Sequence, residues 1–195
     1  MFDLKGRKLV LASESPRRAQ LFRLIGLDFV VRKSGVDEDN DVPQDPGQHV
    51  LTLSRRKAEH VAAAERKALV VGADTIVVID GEILGKPSSP QQAYDMLRRL
   101  SGRTHRVFTG FTVVETQTGA SVADVEVTEV HFRELEDDEI WRYIETGSPM
   151  DKAGAYGIQD QSAVFVDRIS GCFYNVVGFP LARFYVRMRE FLAQL

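Results

Sequence analysis

The spacing of apolar residues along the chain predicts a mixture of strands and helices. Short runs rich in valine, isoleucine and phenylalanine, bounded by turn residues, are typical of strands. The predicted strands span residues 8–12, 29–31, 69–79, 82–84, 106–115, 121–132 and 163–166. Asp80 and Gly81 separate two of these runs and predict a two-residue hairpin turn. The runs on either side of residues 116–119 predict a second hairpin.

Helical spacing of apolar residues predicts the segments between these strands. Ser15 and Ser89 suit the N-cap position, and each is followed by a proline at the first helical position. The predicted helices span residues 16–25, 48–66, 90–100, 135–146 and 180–195. Because strands and helices mix without a regular βαβ rhythm, we expect an α/β protein with a mixed sheet flanked by helices.

Composition narrows the possible classes of protein. The 195 residues suit one domain, and the net charge of −3 argues against a partner that is a nucleic acid polymer. A single cysteine, Cys172, excludes an internal disulfide and is consistent with a reducing compartment. No apolar run has the length of a signal peptide or of a membrane span. We therefore expect a cytoplasmic protein with no membrane partner.

The start of the first predicted helix has the features of a phosphate-binding site. Ser15 caps the helix, Pro16 costs no hydrogen bond there, and the free N–H groups of the first turn point outward with the positive end of the helix dipole. Arg17 and Arg18 add guanidinium donors at the helix end where cations are unfavourable. A bound anion would relieve that conflict, whereas the alternative is a pair of solvated arginines.

Asp74 lies inside an otherwise apolar strand. Burial of a lone carboxylate costs roughly several kcal/mol unless a cation or hydrogen-bond donors compensate it, so either a partner or an exposed strand end is expected. With Asp80-Gly81 as the turn, Thr75 falls opposite Lys86, one step out of register with Asp74. The pattern predicts that Lys86 approaches Asp74 at one end of the hairpin, although a lysine at a strand rim is the alternative.

Two further charged residues are candidates for the same site. Lys57 interrupts the apolar stripe of the helix predicted at 48–66, so it either snorkels to solvent or points toward a bound phosphate. Glu38 lies in an acidic loop and is the candidate partner of Asp74 around a divalent metal, because Mg²⁺ is held by one or two carboxylates together with substrate phosphates. A solvated acidic loop is the alternative for Glu38.

The segment 151–159 is polar and punctuated by glycines, as binding loops often are. Gln159 and the backbone amides of this segment suit recognition of a base edge, Lys152 is a candidate substrate-binding residue, and the ring of Tyr156 suits packing against a flat group. Elsewhere the sequence contains no P-loop, no GxGxxG and no zinc signature.

Taken together, these motifs closely resemble the Maf family of nucleotide pyrophosphatases. The residues that carry the resemblance are 13–18, 37–38, Lys57, 72–75, 85–87, 100–102, 151–159 and 171–181. It extends from about Lys8 to Leu192, with Phe179 where leucine is common. It implies metal-dependent hydrolysis of nucleoside triphosphates to monophosphate and pyrophosphate. It also implies that residues 1–195 form a single domain with an elongated sheet and two lobes around a cleft, similar to inosine triphosphate pyrophosphatases.

The resemblance also implies roles for individual residues. The segment 151–159 resembles the subgroup that acts on dTTP and UTP, Asp74 matches the proton acceptor, and Arg17, Thr75 and Gln159 match positions linked with base selection. The expected catalytic residues are Asp74, Lys57 and Lys86. The expected substrate-binding residues are Ser13, Arg17, Arg18, Thr75, Lys152 and Gln159. The expected ligands of Mg²⁺ or Mn²⁺ are Glu38 and Asp74. Orientation of the attacking water is the role expected of Asp74, because neighbouring cations weaken a carboxylate as a base.

Two alternatives remain open at the level of sequence. The same chemistry could act on another nucleotide, such as a modified pyrimidine or a purine triphosphate. The chain could instead be a nucleotide-binding regulator of septum formation or cell division that needs no turnover. A homodimer is expected because dimers are common among similar proteins.

Overall fold

The computed structural model describes residues 2–36 and 44–195, within which the chain forms seven strands, six α-helices and three short 3₁₀ helices. The strands are β1 (Lys8–Ala12), β2 (Val30–Arg32), β3 (Ala68–Ile79), β4 (Glu82–Leu84), β5 (Thr104–Glu115), β6 (Ser121–Phe132) and β7 (Val166–Ser170). The α-helices are α1 (Pro16–Leu24), α2 (Pro46–Ala62), α3 (Pro90–Leu100), α4 (Asp137–Glu145), α5 (Phe173–Val177) and α6 (Leu181–Gln194). The 3₁₀ helices span Ser148–Asp151, Ala153–Ala155 and Gln161–Phe165.

The strands form a sheet of mixed direction. Its order is β2-β1-β3-β5-β6-β7, and β4 pairs with β3 outside this path. β1 is parallel to both β2 and β3, whereas the β3–β4 and β6–β7 pairs are antiparallel. The parallel pairs arise because α1 and α2 serve as crossover connections, which parallel strands require. The prediction of an α/β protein with a mixed sheet is therefore confirmed.

The first predicted hairpin is confirmed together with its register. Asp80 and Gly81 have φ angles of 55° and 79°, the positive values that a type I′ turn requires. Ile79 pairs with Glu82 as predicted, and the ladder continues for two more pairs. Lys86 lies beyond the end of β4 and is exposed. The second predicted hairpin is also present, since β5 and β6 are neighbours in the sheet.

The predicted helices are present with shifted ends, because local capping decides where each one begins. α2 begins at Pro46 because the Asp45 carboxylate accepts a hydrogen bond from the Gln48 N–H (2.8 Å). α4 begins at Asp137, where Glu136 and Glu139 form a capping box. None of the helices within the described residues combines the length and apolarity that a bilayer span requires.

One predicted strand is wrong over most of its length. Residues 163–165 belong to the 3₁₀ helix Gln161–Phe165, and β7 begins only at Val166. At the start of that helix, the Asp160 carboxylate accepts a hydrogen bond from the Ser162 N–H (2.9 Å). Such a local bond between a side chain and the backbone competes with extended structure, and an apolar run gives no sign of it.

The described residues fall into two compact units. Unit 1 consists of Met1–Asp74, Thr109–Glu126 and Gly178–Leu195, and unit 2 consists of Thr75–Phe108 and Val127–Val177. β3, β5 and β6 contribute residues to both units. In unit 1 the rings of Phe22, Phe111, Phe179 and Phe184 pack against one another. In unit 2, α3 and α4 contribute apolar residues to a core that also includes Phe132 and Phe165.

Two glycines allow α2 to lie directly on the sheet within unit 1. A Cβ atom on Gly72 of β3 would meet the Ser54 carbonyl oxygen at 2.2 Å and the Ala58 nitrogen at 2.6 Å. A Cβ atom on Gly110 of β5 would lie 2.7 Å from the Val50 carbonyl oxygen. No side chain fits at such distances, so the backbone of α2 approaches these strands only because both positions are glycine.

Candidate active site

The helix N-terminus in unit 1 has the predicted cap. The Ser15 side chain accepts a hydrogen bond from the Arg18 N–H, and Pro16 occupies the first turn. The Ser13 hydroxyl oxygen accepts hydrogen bonds from the Ser15 N–H (3.2 Å) and from Nη1 of Arg18 (3.1 Å). With both acceptor positions of this hydroxyl occupied, its own proton remains to be donated to a ligand.

The two arginines of this helix differ in their environment. Arg18 is buried, and its Nε donates to the Gly178 carbonyl oxygen (3.0 Å) in addition to its contact with Ser13. Arg18 therefore joins the start of α1 to the chain that precedes α6. Arg17 is half-buried on the same first turn. This difference makes Arg17 the better candidate for direct contact with a phosphate, and Arg18 the residue that orients Ser13.

Asp74 forms a buried ion pair with Lys57. The Lys57 Nζ donates to Oδ1 of Asp74 at 2.7 Å, and the two residues are 5% and 7% exposed. Asp74 thus has the cationic partner that its burial requires, and this partner comes from α2. Lys57 does not snorkel to solvent, because its ammonium group lies inside unit 1. The predicted approach of Lys86, a residue of unit 2, to Asp74 stays a prediction.

Strand register places Ser13 and Asp74 just beyond the carboxyl end of the parallel β1–β3 ladder, although β3 itself continues to Ile79. Ala12, the last residue of β1, pairs with Gly72 of β3. Ser13 follows the first of these directly, and Asp74 comes two residues after the second. Ligands of open α/β sheets bind beyond the carboxyl ends of parallel strands, so this end of the β1–β3 pair suits a bound substrate.

The close packing of α2 explains why Lys57 reaches Asp74. Ser54 and Ala58 are the residues of α2 that contact the backbone of β3 at Gly72. Lys57 lies between them in sequence, and Asp74 lies two residues beyond Gly72. With a larger residue in place of Gly72, the helix would stand further from the strand and the 2.7 Å contact would lengthen.

The predicted catalytic residue Lys86 and the remaining predicted substrate-binding residues belong to unit 2. Thr75 is half-buried, whereas Lys86 and Gln159 are exposed. Lys152 is engaged within its own segment, where its Nζ donates to the Ser148 carbonyl oxygen (2.5 Å) and to Oδ1 of Asp151 (2.6 Å). These contacts favour a supporting role for Lys152 over direct contact with a substrate.

Asp160 is the centre of a polar cluster that was not predicted, although its neighbour Lys152 is one of the predicted substrate-binding residues. Its carboxylate accepts from the Ser162 N–H, from the Ser148 hydroxyl (2.8 Å) and from the Tyr143 hydroxyl (3.1 Å). Burial disfavours the charged form, but these hydrogen bonds and the charge of Lys152 together hold the pKa of Asp160 below its ordinary value. Its partners are scattered over 20 residues of sequence from Tyr143 to Ser162, so no motif marks them.

His105 and Tyr156 form a buried pair in unit 2. Nε2 of His105 lies 2.8 Å from the Tyr156 hydroxyl, and Nδ1 of His105 has no hydrogen-bond partner among the described residues. Burial lowers the pKa of His105 to about 3, with a smaller contribution from His131, and burial also raises the pKa of Tyr156. The ring of Tyr156 packs edge-on against Phe132, so it is part of the core and not a platform for a ligand.

Of the two predicted metal ligands, only Asp74 lies within the described residues. Glu38 lies outside the described residues, and the described part of the chain contains no group of three or more metal-ligating side chains. Within that part, Oδ2 of Asp74 accepts no hydrogen bond. A single hard oxygen donor of this kind suits Mg²⁺ or Mn²⁺ when substrate phosphates complete the coordination, so the donor fits the expected metal.

The fold and the site define an α/β protein with a buried carboxylate–lysine pair beside a helix N-terminus that suits an anion. The family model described as Maf-like protein matches residues 8–191. The chain therefore belongs to the Maf family.

Several relatives of similar length share one name. The chain is 45% identical over 185 residues to a protein of Desulforamulus reducens named dTTP/UTP pyrophosphatase, covering 95% of this chain and 97% of that one. Proteins with the same name from Alkaliphilus metalliredigens and Thermococcus onnurineus are 50% and 53% identical, covering 90% and 89% of this chain and 92% of each relative. Among solved structures, the Ham1 protein of Staphylococcus aureus aligns with a TM-score of 0.43 and 17% identity over 65% of this chain and 72% of that one, a likeness too low to argue from.

Proposed function

We propose that this chain hydrolyses nucleoside triphosphates, with dTTP and UTP as its substrates, to the monophosphate and pyrophosphate. The observation that carries the proposal is the buried Lys57–Asp74 pair, which lies near the helix N-terminus at one end of the parallel strands of unit 1. The names of relatives that match this chain over most of its length support the same reaction and the same substrates.

In this proposal the triphosphate binds at the start of α1. The N–H groups of the first turn, the hydroxyl proton of Ser13 and the guanidinium of Arg17 donate to phosphate oxygens, and the helix dipole favours the negative charge. Arg18 keeps the Ser13 hydroxyl oriented. Lys86 is the further cation of this proposal, and residues 1–195 are proposed to form a single domain.

Asp74 orients the water that attacks the α-phosphate. Lys57 holds the carboxylate in place by its contact with Oδ1, which leaves Oδ2 for the water or for a metal. Positioning and electrostatic stabilisation supply most of the rate, as in other phosphoryl transfers. Pyrophosphate is the leaving group.

Asp74 and Glu38 would hold Mg²⁺ or Mn²⁺. When bound, the metal would neutralise phosphate charge and polarise the phosphorus–oxygen bonds. Base selection falls to Thr75 and Gln159, together with Arg17. Homodimer formation is part of the same proposal and is tested by the mass of the protein in solution.

The first experiment measures products. The protein is incubated with Mg²⁺ or Mn²⁺ and a panel of nucleoside triphosphates, and pyrophosphate is measured separately from orthophosphate. We expect pyrophosphate and monophosphate from dTTP and UTP, and neither from the Asp74→Asn variant. Release of orthophosphate would overturn the proposed cleavage site. Absence of turnover with every nucleotide would overturn the enzyme and favour a nucleotide-binding regulator of septum formation.

A further inference from the structure

Asp160 is the centre of a network in unit 2 that the proposed mechanism does not use. Its Oδ1 lies 2.9 Å from the Ser162 nitrogen and 2.8 Å from the Ser162 hydroxyl. Its Oδ2 lies 2.8 Å from the Ser148 hydroxyl, 3.1 Å from the Tyr143 hydroxyl and 3.4 Å from the Lys152 ammonium. The two carboxylate oxygens therefore join α4, two 3₁₀ helices and the segment between them at one point.

This network closes the turn that contains Gln159. The Asp160 N–H donates to the Gly157 carbonyl oxygen (3.0 Å), and the Gly157 N–H donates to the Ser162 hydroxyl (3.1 Å). On its other side the turn lies against Lys152, because a Cβ atom on Gly157 would meet Cε of Lys152 at 2.7 Å. Gln159 is the exposed residue within this closed turn. Its backbone is therefore held on both sides while its side chain is presented to solvent.

A fixed approach matters for a glutamine that selects a base. The glutamine amide offers one donor group and one acceptor, and it matches the edge of uracil or thymine in one orientation and that of cytosine when turned over. Discrimination between these pyrimidines therefore depends on how firmly the side chain is directed. The residue at position 160 must be a carboxylate, because its neighbours, including the ammonium of Lys152, are hydrogen-bond donors that need an acceptor. An asparagine there would face some of these donors with its NH₂ group, which is itself a donor.

We propose that Asp160 is a positioning residue for base selection, which holds the 157–160 turn so that Gln159 approaches the base from one direction. The inference rests on the proposed function, in which Gln159 contacts the base. Asp160 itself touches neither the substrate nor the reacting atoms. Lys152, Ser148 and Tyr143 act with it as partners of the same carboxylate.

The experiment compares kcat and KM for UTP and CTP, and for dTTP and dCTP, by pyrophosphate release. We expect Asp160→Asn to lower the preference for UTP over CTP by about tenfold, the effect of one lost hydrogen bond to a charged group, mainly through a higher KM for UTP. The matched control is Asp138→Asn, an exposed aspartate of α4 paired with Arg142, which should leave the preference unchanged.

Two further variants separate positioning from general damage. In a Gln159→Ala background, Asp160→Asn should change the preference no further, because Asp160 acts through Gln159. Tyr143→Phe keeps the ring against Phe165 and removes one donor to Asp160, so it should shift the preference in the same direction by a smaller factor, and it tests the inference even where Asp160→Asn does not fold.

The outcomes are distinguishable from those for the proposed function. An equal loss of kcat/KM for all nucleotides in Asp160→Asn, an unchanged preference, or effects that multiply in the double variant would each overturn the positioning role. A wild-type protein that releases no pyrophosphate from any nucleotide would instead overturn the proposed function, and with it this inference.

Discussion

Asp74 in unit 1 is a buried carboxylate and Asp160 in unit 2 is a half-buried one, and the chain surrounds them differently. Among the described residues, Asp74 accepts a hydrogen bond from Lys57 alone, through one of its two oxygens. Both oxygens of Asp160 are occupied by hydroxyl and backbone donors, with a lysine close by. A carboxylate with an uncommitted oxygen can take a water or a metal ion, whereas a fully engaged one holds the chain in place. In this protein the two proposed roles follow from the number of donors around each carboxylate.

The largest effect expected from this comparison is on turnover. Asp74→Asn should lower kcat for dTTP by about 10³-fold, within the range for loss of a group that positions or activates a nucleophile. Asparagine keeps an acceptor for Lys57, so the variant should remain folded by circular dichroism. Asp160→Asn should leave kcat within about twofold, since its expected effect is on KM. Equal losses of kcat in both variants would remove the distinction between the two carboxylates.

The second prediction concerns the stability that the Lys57–Asp74 pair provides. Lys57→Met leaves the carboxylate buried without its cation and should lower the free energy of unfolding by about 3–5 kcal/mol, measured by urea denaturation. Adding Asp74→Asn to that variant should restore part of the loss, because the uncompensated charge is then gone. If the losses of unfolding free energy caused by the two substitutions are instead additive, the pair makes no coupled contribution to stability.

The third prediction tests how the pair is brought together. Gly72→Ala places a methyl group against the backbone of α2 and should cost about 1–3 kcal/mol in unfolding free energy, with a fall in kcat as Lys57 moves away from Asp74. Gly85→Ala is the matched control, because a Cβ atom there meets nothing within 4 Å. Equal behaviour of the two variants would show that α2 does not depend on Gly72 for its position.

The smallest expected effect is a pH dependence of unit 2. Burial lowers the pKa of His105 to about 3, whereas an unfolded histidine titrates near 6.5. Between these values the unfolded chain binds the additional proton, so stability is present above pH 6.5 and is lost as the pH falls, by about 1.4 kcal/mol at pH 5.5. His105→Phe should reduce this loss between pH 8 and pH 5.5 in urea denaturation. An unchanged slope would assign the acid sensitivity to other groups.

Local sequence patterns predicted much of the fold but only part of the candidate active site. The hairpin at Asp80-Gly81 and the cap at Ser15 were predictable because each depends on neighbouring residues. The short helix Phe173–Val177 was not predicted, since five residues carry too little periodicity. The strand expected at 163–166 failed because the Asp160 side chain competes for the backbone.

The sequence by itself determined that Asp74 needs a partner, that a helix begins beside Ser13 with two arginines in its first turn, and that the sheet is mixed. These features follow from burial costs, capping and hydrophobic spacing, all of which act over a few residues. Only the tertiary structure decided that Lys57 contacts Asp74. Lys57 reaches Asp74 because Gly72 lets α2 lie on the backbone of β3. The hydrophobic periodicity of either segment does not indicate such close packing between segments that are distant in sequence.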